Sequence, residues 1–369
     1  MKVITIIAFF ILSLSCRQRV YQVERTDNPV QKSNIAFAAY EDISLPRFDS
    51  LKIKYQLDTV FHGEKDEFKR VLLLRNWIRQ KIPINDFGDP YPGNDHPEGI
   101  IDAASAGHGF HCGHYMVVQN AIMNAYGYVT RCLGSGPGIK GEADGHHGMN
   151  EVWLNKYNKW FLSDAKFNHH FEKNGIPLSA IEIRAEYLKN KAADVVLVKG
   201  PDRIPIEVDS LKDKNGIYRT RNKEWFARWY TWLEWDRSAN RFSAWPAFTS
   251  KLNMYRDDYF TSHTWFWDGK PHWAYNTSDV QYQDTRDAIE WTPNVIDADA
   301  AIGNSHAEIK LRSLTPNFKE YEMNINGSWV RCDSVVNVEL NKDREEFLFR
   351  AVNIADVAGP EYKIAFTIK

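Results

Sequence analysis

The chain has 369 residues, 43% of them apolar and 25% charged, with a formal net charge of −2. Such a make-up fits a folded protein long enough for two or three domains. It lacks the basic stripe that binding to nucleic acid requires. Aromatic content is the outlier, with 13 Trp.

Residues 1–16 read as a targeting segment: Lys2, an apolar run from Val3 to Leu14, then Ser15 and Cys16. The run is too short for a stable bilayer anchor, so a secretory signal is expected. A small residue directly before Cys16 predicts the lipoprotein type, with Cys16 lipidated. Residues 17–60 are expected as a tether and lead-in, polar and without periodicity in their first part. Glu64 to Ile82 is predicted as an amphipathic helix, with Phe68, Val71, Leu72, Arg75 and Ile78 on one side and Pro83 closing it. Asn85 to Gly99 is predicted as a loop forming one wall of a cleft.

Tyr115, Val118, Ile122 and Ala125 recur at helical intervals and Gly127 supplies a stop. Cys112 then falls at the start of that helix, where unpaired amides and the helix dipole favour a thiolate. The Cys112 amide is a candidate oxyanion donor. Tyr128 to Leu133 reads as a strand, followed by a glycine-rich loop (Gly134, Gly136, Gly138, Gly141) expected outside the sheet. His147, Met149, Glu151 and Trp153 alternate along one strand, and Trp160, Leu162 and Asp164 along the next. If the two faces coincide, Asp164 orients His147 and His147 serves Cys112, the general form of a cysteine triad.

These segments resemble the transglutaminase-like cysteine superfamily, related to the papain-like fold, over roughly residues 64 to 190. The matching features are the Trp-containing helix LLLRNWIRQKI, Gly-x-x-Cys ending at Cys112, and Ala-Tyr-Gly-Tyr-x-x-Arg ending at Arg131. His-x-x-Asn-Glu-Val-Trp from His147 and Lys-Trp-x-x-x-Asp ending at Asp164 complete the set. The chain departs from the pattern at Met149, where an aromatic is common, and in the histidines that precede Cys112. The resemblance implies Cys112 as nucleophile, His147 as general base and acid, and Asp164 as its orienter. His147 is preferred to His146 because it keeps the spacing to Asn150-Glu151-Val152. The resemblance also implies acyl transfer at an amide, with hydrolysis favoured over crosslinking.

Further along, a helix is predicted around Ser179 to Asn190. A second, over Asn222 to Asp236, would carry Trp225, Trp229, Trp232 and Trp235. Asp268-Gly269 predicts a hairpin bearing Trp265, Trp267 and Trp273, which, with His111, are candidate substrate-binding residues for a sugar-bearing partner. Residues 292–369 alternate as strands, with Asn326-Gly327 as a hairpin turn, and read as an immunoglobulin-like or fibronectin-like sandwich. Cys132 and Cys332 are expected as buried free thiols.

The fold class expected is therefore α+β: a transglutaminase-like catalytic domain (61–190), its helix-borne cysteine packed on an antiparallel sheet, then a Trp-rich extension (191–291) and an all-β sandwich (292–369). The protein is expected to be exported, membrane-anchored through lipid, and to act without a cofactor on a peptide or glycopeptide, or to meet a polysaccharide. Two other readings stand beside it. One is a glycan-binding lipoprotein using the same domain as a scaffold. The other is a zinc hydrolase using His108, His111, His114, Asp144, His146 or His147 as ligands, although no familiar ligand spacing occurs.

Overall fold

The computed structural model describes residues 19–24, 26–32, 37, 39–86, 96–139, 142–213, 215–249, 251–259, 264–267, 270–274 and 280–369, with the backbone alone for 139, 142–144, 264–267 and 270–274. The targeting segment with Cys16 lies outside the described residues. A six-stranded sheet organises the part of the chain that precedes the C-terminal β region. Across it run Val280–Gln283, Leu252–Tyr255, Trp232–Asp236, Thr130–Gly136, His147–Leu154 and Lys159–Ser163. One face is covered by the helices Pro46–Lys54, Glu67–Lys81, Pro97–Ser105 and Cys112–Ala125, whose core includes Val152 and Phe161 from the sheet. The other face carries Met149, Trp153, Trp160 and Trp235 and is covered by helix Ala180–Asn190 and Trp291. The alternation Val152 in, Trp153 out is the period of a strand buried on both sides.

Helix Cys112–Ala125 sits at the centre. Val117, Val118, Ala121 and Ile122 are buried, as are Gln119, Asn120 and Asn124. Buried amides need partners. Gln119 donates to Ser163 Oγ at 2.6 Å and Asn120 to Glu41 Oε1 at 2.8 Å. Gly127, at φ +76°, turns the chain out of the helix, as the sequence predicts. The upstream helix begins at Glu67, capped by Asp66 accepting from Lys69 N, three residues later than expected. Ser179 and Glu182 form a capping box for the helix that follows.

Four expectations are corrected. Gly134 and Gly136 are not in an outer loop; they lie inside the buried strand Thr130–Gly136. A Cβ on Gly134 would come within 2.4 Å of Glu234 Oε1, and one on Gly136 within 2.4 Å of Trp232 Nε1, so these glycines make room for the neighbouring strand. The predicted helix over Asn222 to Asp236 is confined to Lys223–Arg228; Trp232 and Trp235 belong to a sheet strand. Sheet pairing overrides the helical spacing of the tryptophans there. The 85–99 stretch is not loop to its end, because helix Pro97–Ser105 begins within it, with Pro97 in its first turn; residues 87–95 lie outside the described residues. Finally, part of the 17–60 tether is structured. Tyr21–Glu24 is the edge strand beside Tyr362–Ile368, with Tyr21 buried and its hydroxyl donating to Leu340 O at 2.9 Å.

The C-terminal region is all β. A five-stranded sheet (Tyr21–Glu24, Tyr362–Ile368, Arg344–Asn353, Phe318–Ile325, Ser328–Cys332) and a three-stranded one (Ile296–Ile302, His306–Ser313, Val335–Glu339) enclose one apolar core around Ile309, Phe349 and Phe366. Asn326-Gly327 makes the expected turn, both residues at positive φ.

Candidate active site

Cys112 is the first residue of its helix, and His111 before it is the N-cap, its Nδ1 accepting from Gly113 N at 3.2 Å. His147 is the first residue of strand His147–Leu154. Asp164 follows strand Lys159–Ser163 directly and forms an isolated bridge with His169. Asn150 pairs with Ser163, so His147 and Asp164 project from the same face of the sheet. His147 Nε2 donates to Asp164 Oδ2 at 2.7 Å. That leaves Nδ1 for the thiol of Cys112, with which His147 is hydrogen-bonded. The structure thus brings Cys112, His147 and Asp164 together in the order expected of them.

Charge is distributed accordingly. Burial pushes the Cys112 thiol up, but hydrogen bonds from His111 and His147 and the positive charge of His147 and Lys166 outweigh it and hold the thiol well below its ordinary value. Burial opposes protonation of His147, yet Asp164 and Cys112 raise it to about 9. Burial likewise opposes ionisation of Asp164, and the charge and hydrogen bond of His147 prevail, taking it down to about 2. Both shifts favour a thiolate beside an imidazolium. Phe167 N donates to the other Asp164 oxygen at 3.0 Å. Beneath it, fully buried Arg75 donates to His169 O at 3.0 Å and Asn168 Oδ1 at 3.1 Å, adding positive charge. His169 is buried, lies 3.7 Å from Asp164 and is pushed down to about 3 by burial, so it is neutral.

The sulfur opens into a cleft of about 650 Å³. Its walls include Asp86 and Lys166, which form an ion pair, and Trp225, Trp229 and Arg221. The Trp229 ring meets the His147 ring edge-on at 6.1 Å between centroids, and the Arg221 guanidinium lies 4.9 Å from the Trp225 ring centre. Of the residues expected to bind substrate, His111 lines this cleft. Trp265, Trp267 and Trp273 lie on paired strands Thr264–Trp267 and Lys270–Ala274, but their side chains lie outside the described residues. Sequence reasoning missed Trp229 as a cleft residue because it was assigned to a long helix. It missed Lys166 although it lies two residues beyond Asp164. Cys132 is buried and free; Cys332 is free but only half-buried, which corrects the expectation of two buried thiols. Among the described residues no three His, Cys, Asp or Glu side chains gather as a metal-holding group.

Residues 55–165 match the family model of the Transglutaminase-like superfamily, a family of cysteine-based amide-bond enzymes, and this segment contains Cys112, His147 and Asp164. The chain therefore carries a transglutaminase-like core within an α+β fold. Among solved structures, it is similar to the crystal structure of red sea bream transglutaminase at 9% identity and a TM-score of 0.27, over 81% of this chain and 48% of that one. The chain spans about half the length of that protein. No curated protein matches the sequence.

Proposed function

We propose that the protein is a cysteine enzyme acting at amide bonds through a Cys112-His147-Asp164 triad, with hydrolysis favoured over crosslinking. The supporting observation is the juxtaposition of Cys112 and His147 in the wall of one cleft, with Asp164 fixing the ring at 2.7 Å. In the proposed reaction the Cys112 sulfur bonds to the amide carbon and the carbonyl π pair moves to oxygen. Collapse expels the amine, which takes its proton from His147. The thioester is then attacked by water, whose proton passes to His147, and the acid and free thiolate are released.

The substrate proposed is a peptide or glycopeptide. Half-buried Trp225 and Trp229 give the cleft flat aromatic surface of the kind that stacks on sugar rings or apolar side chains. We also propose export and a lipid anchor at Cys16, on the sequence features of residues 1–16.

The test of the nucleophile is alkylation by iodoacetamide across pH with the labelled site mapped. Cys112 is expected to react at a lower pH than Cys332, whose thiol burial raises to about 11, or Cys132, which burial raises further. Equal labelling of the three, or labelling of Cys132 first, overturns the reading.

A further inference from the structure

A second histidine–carboxylate pair reaches the same cleft. His146 Nε2 lies 3.2 Å from Glu234 Oε1; the carboxylate is buried on strand Trp232–Asp236, while the imidazole keeps 28% of its side-chain surface and lines the cleft with Cys112. Glu234 stands opposite Gly134, and Gly134 opposite Gly148. Cross-strand partners project from one face. That face bears the nucleophile helix, because a Cβ on Gly148 would lie 3.4 Å from the Cα of Gly113. His147 stands opposite Ser135, one residue along, and so projects with Asp164 from the other face. Cys112, His146 and His147 all line the one cleft.

This second pair is a built feature. It exists only because residue 134 is glycine, since a Cβ there would meet Glu234 Oε1 at 2.4 Å and His146 Nε2 at 2.8 Å. The other Glu234 oxygen is buried without a hydrogen-bond partner. Burial works against a charged His146, but Glu234 and the nearby Cys112 sulfur outweigh it and raise the pKa of the ring above its ordinary value. An imidazole in the cleft wall shared with Cys112 is thus held by a buried carboxylate that the proposed triad does not use.

When the thiolate adds to a carbonyl, the base must reach both the sulfur and the departing group, so the oxygen that gains the electron pair points to the other side. His147 takes the first side. We propose that His146, held by Glu234, donates to that oxyanion together with the Cys112 amide. His146 is then a catalytic residue and Glu234 its positioning residue. The inference rests on the proposed role of Cys112.

Two probes separate the roles. Iodoacetamide alkylates the sulfur by displacing iodide and passes through no oxyanion. With p-nitrophenyl acetate, the sulfur bonds to the ester carbon, the π pair moves to oxygen, and collapse expels p-nitrophenolate to leave an acetyl thioester. The acetylation rate divided by the alkylation rate isolates oxyanion stabilisation. His146→Gln is expected to lower this ratio about ten-fold or more, since loss of one such donor costs about 10²–10³ in a well-studied case. Glu234→Gln is expected to lower it less, in the same direction. A merely structural role for the pair would slow both probes together or neither. An unchanged ratio in His146→Gln, or equal slowing of both probes, overturns the proposal while leaving Cys112 as nucleophile. Failure of iodoacetamide to label wild-type Cys112 takes down both readings.

Discussion

Asp164 shows how closely charge and fold are coupled at the level of single residues. Its carboxyl goes from an ordinary 3.8 to about 2, because His147 faces it, so it contributes stability present above pH 3.8 and lost as pH falls through about 2. His147 goes from 6.5 to about 9 in the fold, so its contribution is complete below pH 6.5 and lost as pH rises through about 9. Both are in place between pH 3.8 and 6.5. Asp164→Asn is therefore expected to be less stable than wild type by about 2–3 kcal/mol in that window, with the gap narrowing at pH 9.5. Urea denaturation at pH 6 and pH 9.5 checks this; a gap independent of pH would show that the pair is not ionised as described. The three residues were legible in the sequence because each sits at a recognisable place, a helix start, a strand start or the residue just after a strand. His146–Glu234 was not, since 88 residues separate its members and only sheet pairing brings them together.

At the scale of elements, a buried ion pair joins both layers of the second core. Arg131 donates through Nε and Nη2 to Glu151 Oε2 at 2.9 and 2.6 Å. Trp235 Nε1 donates to the same oxygen at 2.7 Å, and Ala180 N, at the start of the next helix, donates to the other at 2.8 Å. The guanidinium also lies 4.2 Å from the centre of the Trp160 ring. One carboxylate thereby ties three strands and a helix start beneath the site. Breaking such a pair from one side leaves an uncompensated buried charge. Glu151→Gln is expected to lose about 3–5 kcal/mol, read as a fall in the denaturation midpoint. A loss below about 1 kcal/mol, the level of an exposed pair, would contradict this account. Glu151 and Arg131 both stand in the motifs that carry the family resemblance, yet nothing in their spacing shows that they meet. The run of tryptophans after residue 222 was misread for the related reason that helical spacing and sheet membership compete, and pairing with strand Thr130–Gly136 wins.

Across the whole molecule, the C-terminal β region is fastened to the transglutaminase-like core by specific contacts. Asn353 Nδ2 donates to Gly127 O at 2.9 Å, and a Cβ on Gly127 would meet Ala355 Cβ at 2.7 Å. Glu41 O accepts from Asn317 Nδ2 at 2.9 Å, while the buried Glu41 carboxylate accepts from Asn120, Phe242 and Ser243. The lead-in from the edge strand thus returns along the junction. Gly127→Ala combines this clash with a positive φ and is expected to cost about 1–3 kcal/mol and to open the junction to limited proteolysis; protection equal to wild type would contradict the contact. For the anchor, Cys16→Ala is expected to release the protein into the soluble fraction or leave it unprocessed. Wild-type protein found soluble, with an unmodified N-terminus beyond residue 16, would overturn that proposal.

The sequence by itself determined the helix that begins at Cys112, the strand hairpin that follows and the all-β character of the C-terminal region. These depend on local periodicity, caps and turn residues, which neighbours in the chain specify. Tertiary structure alone decided that Gly134 and Gly136 lie inside the sheet, that Trp225 and Trp229 line the cleft while Trp235 fills the core, and that Tyr21–Glu24 closes a sheet over 300 residues away in sequence. Each of these depends on which strands pair and in what register. A one-residue change of register reverses every side chain's face, and no local pattern in the chain encodes that choice.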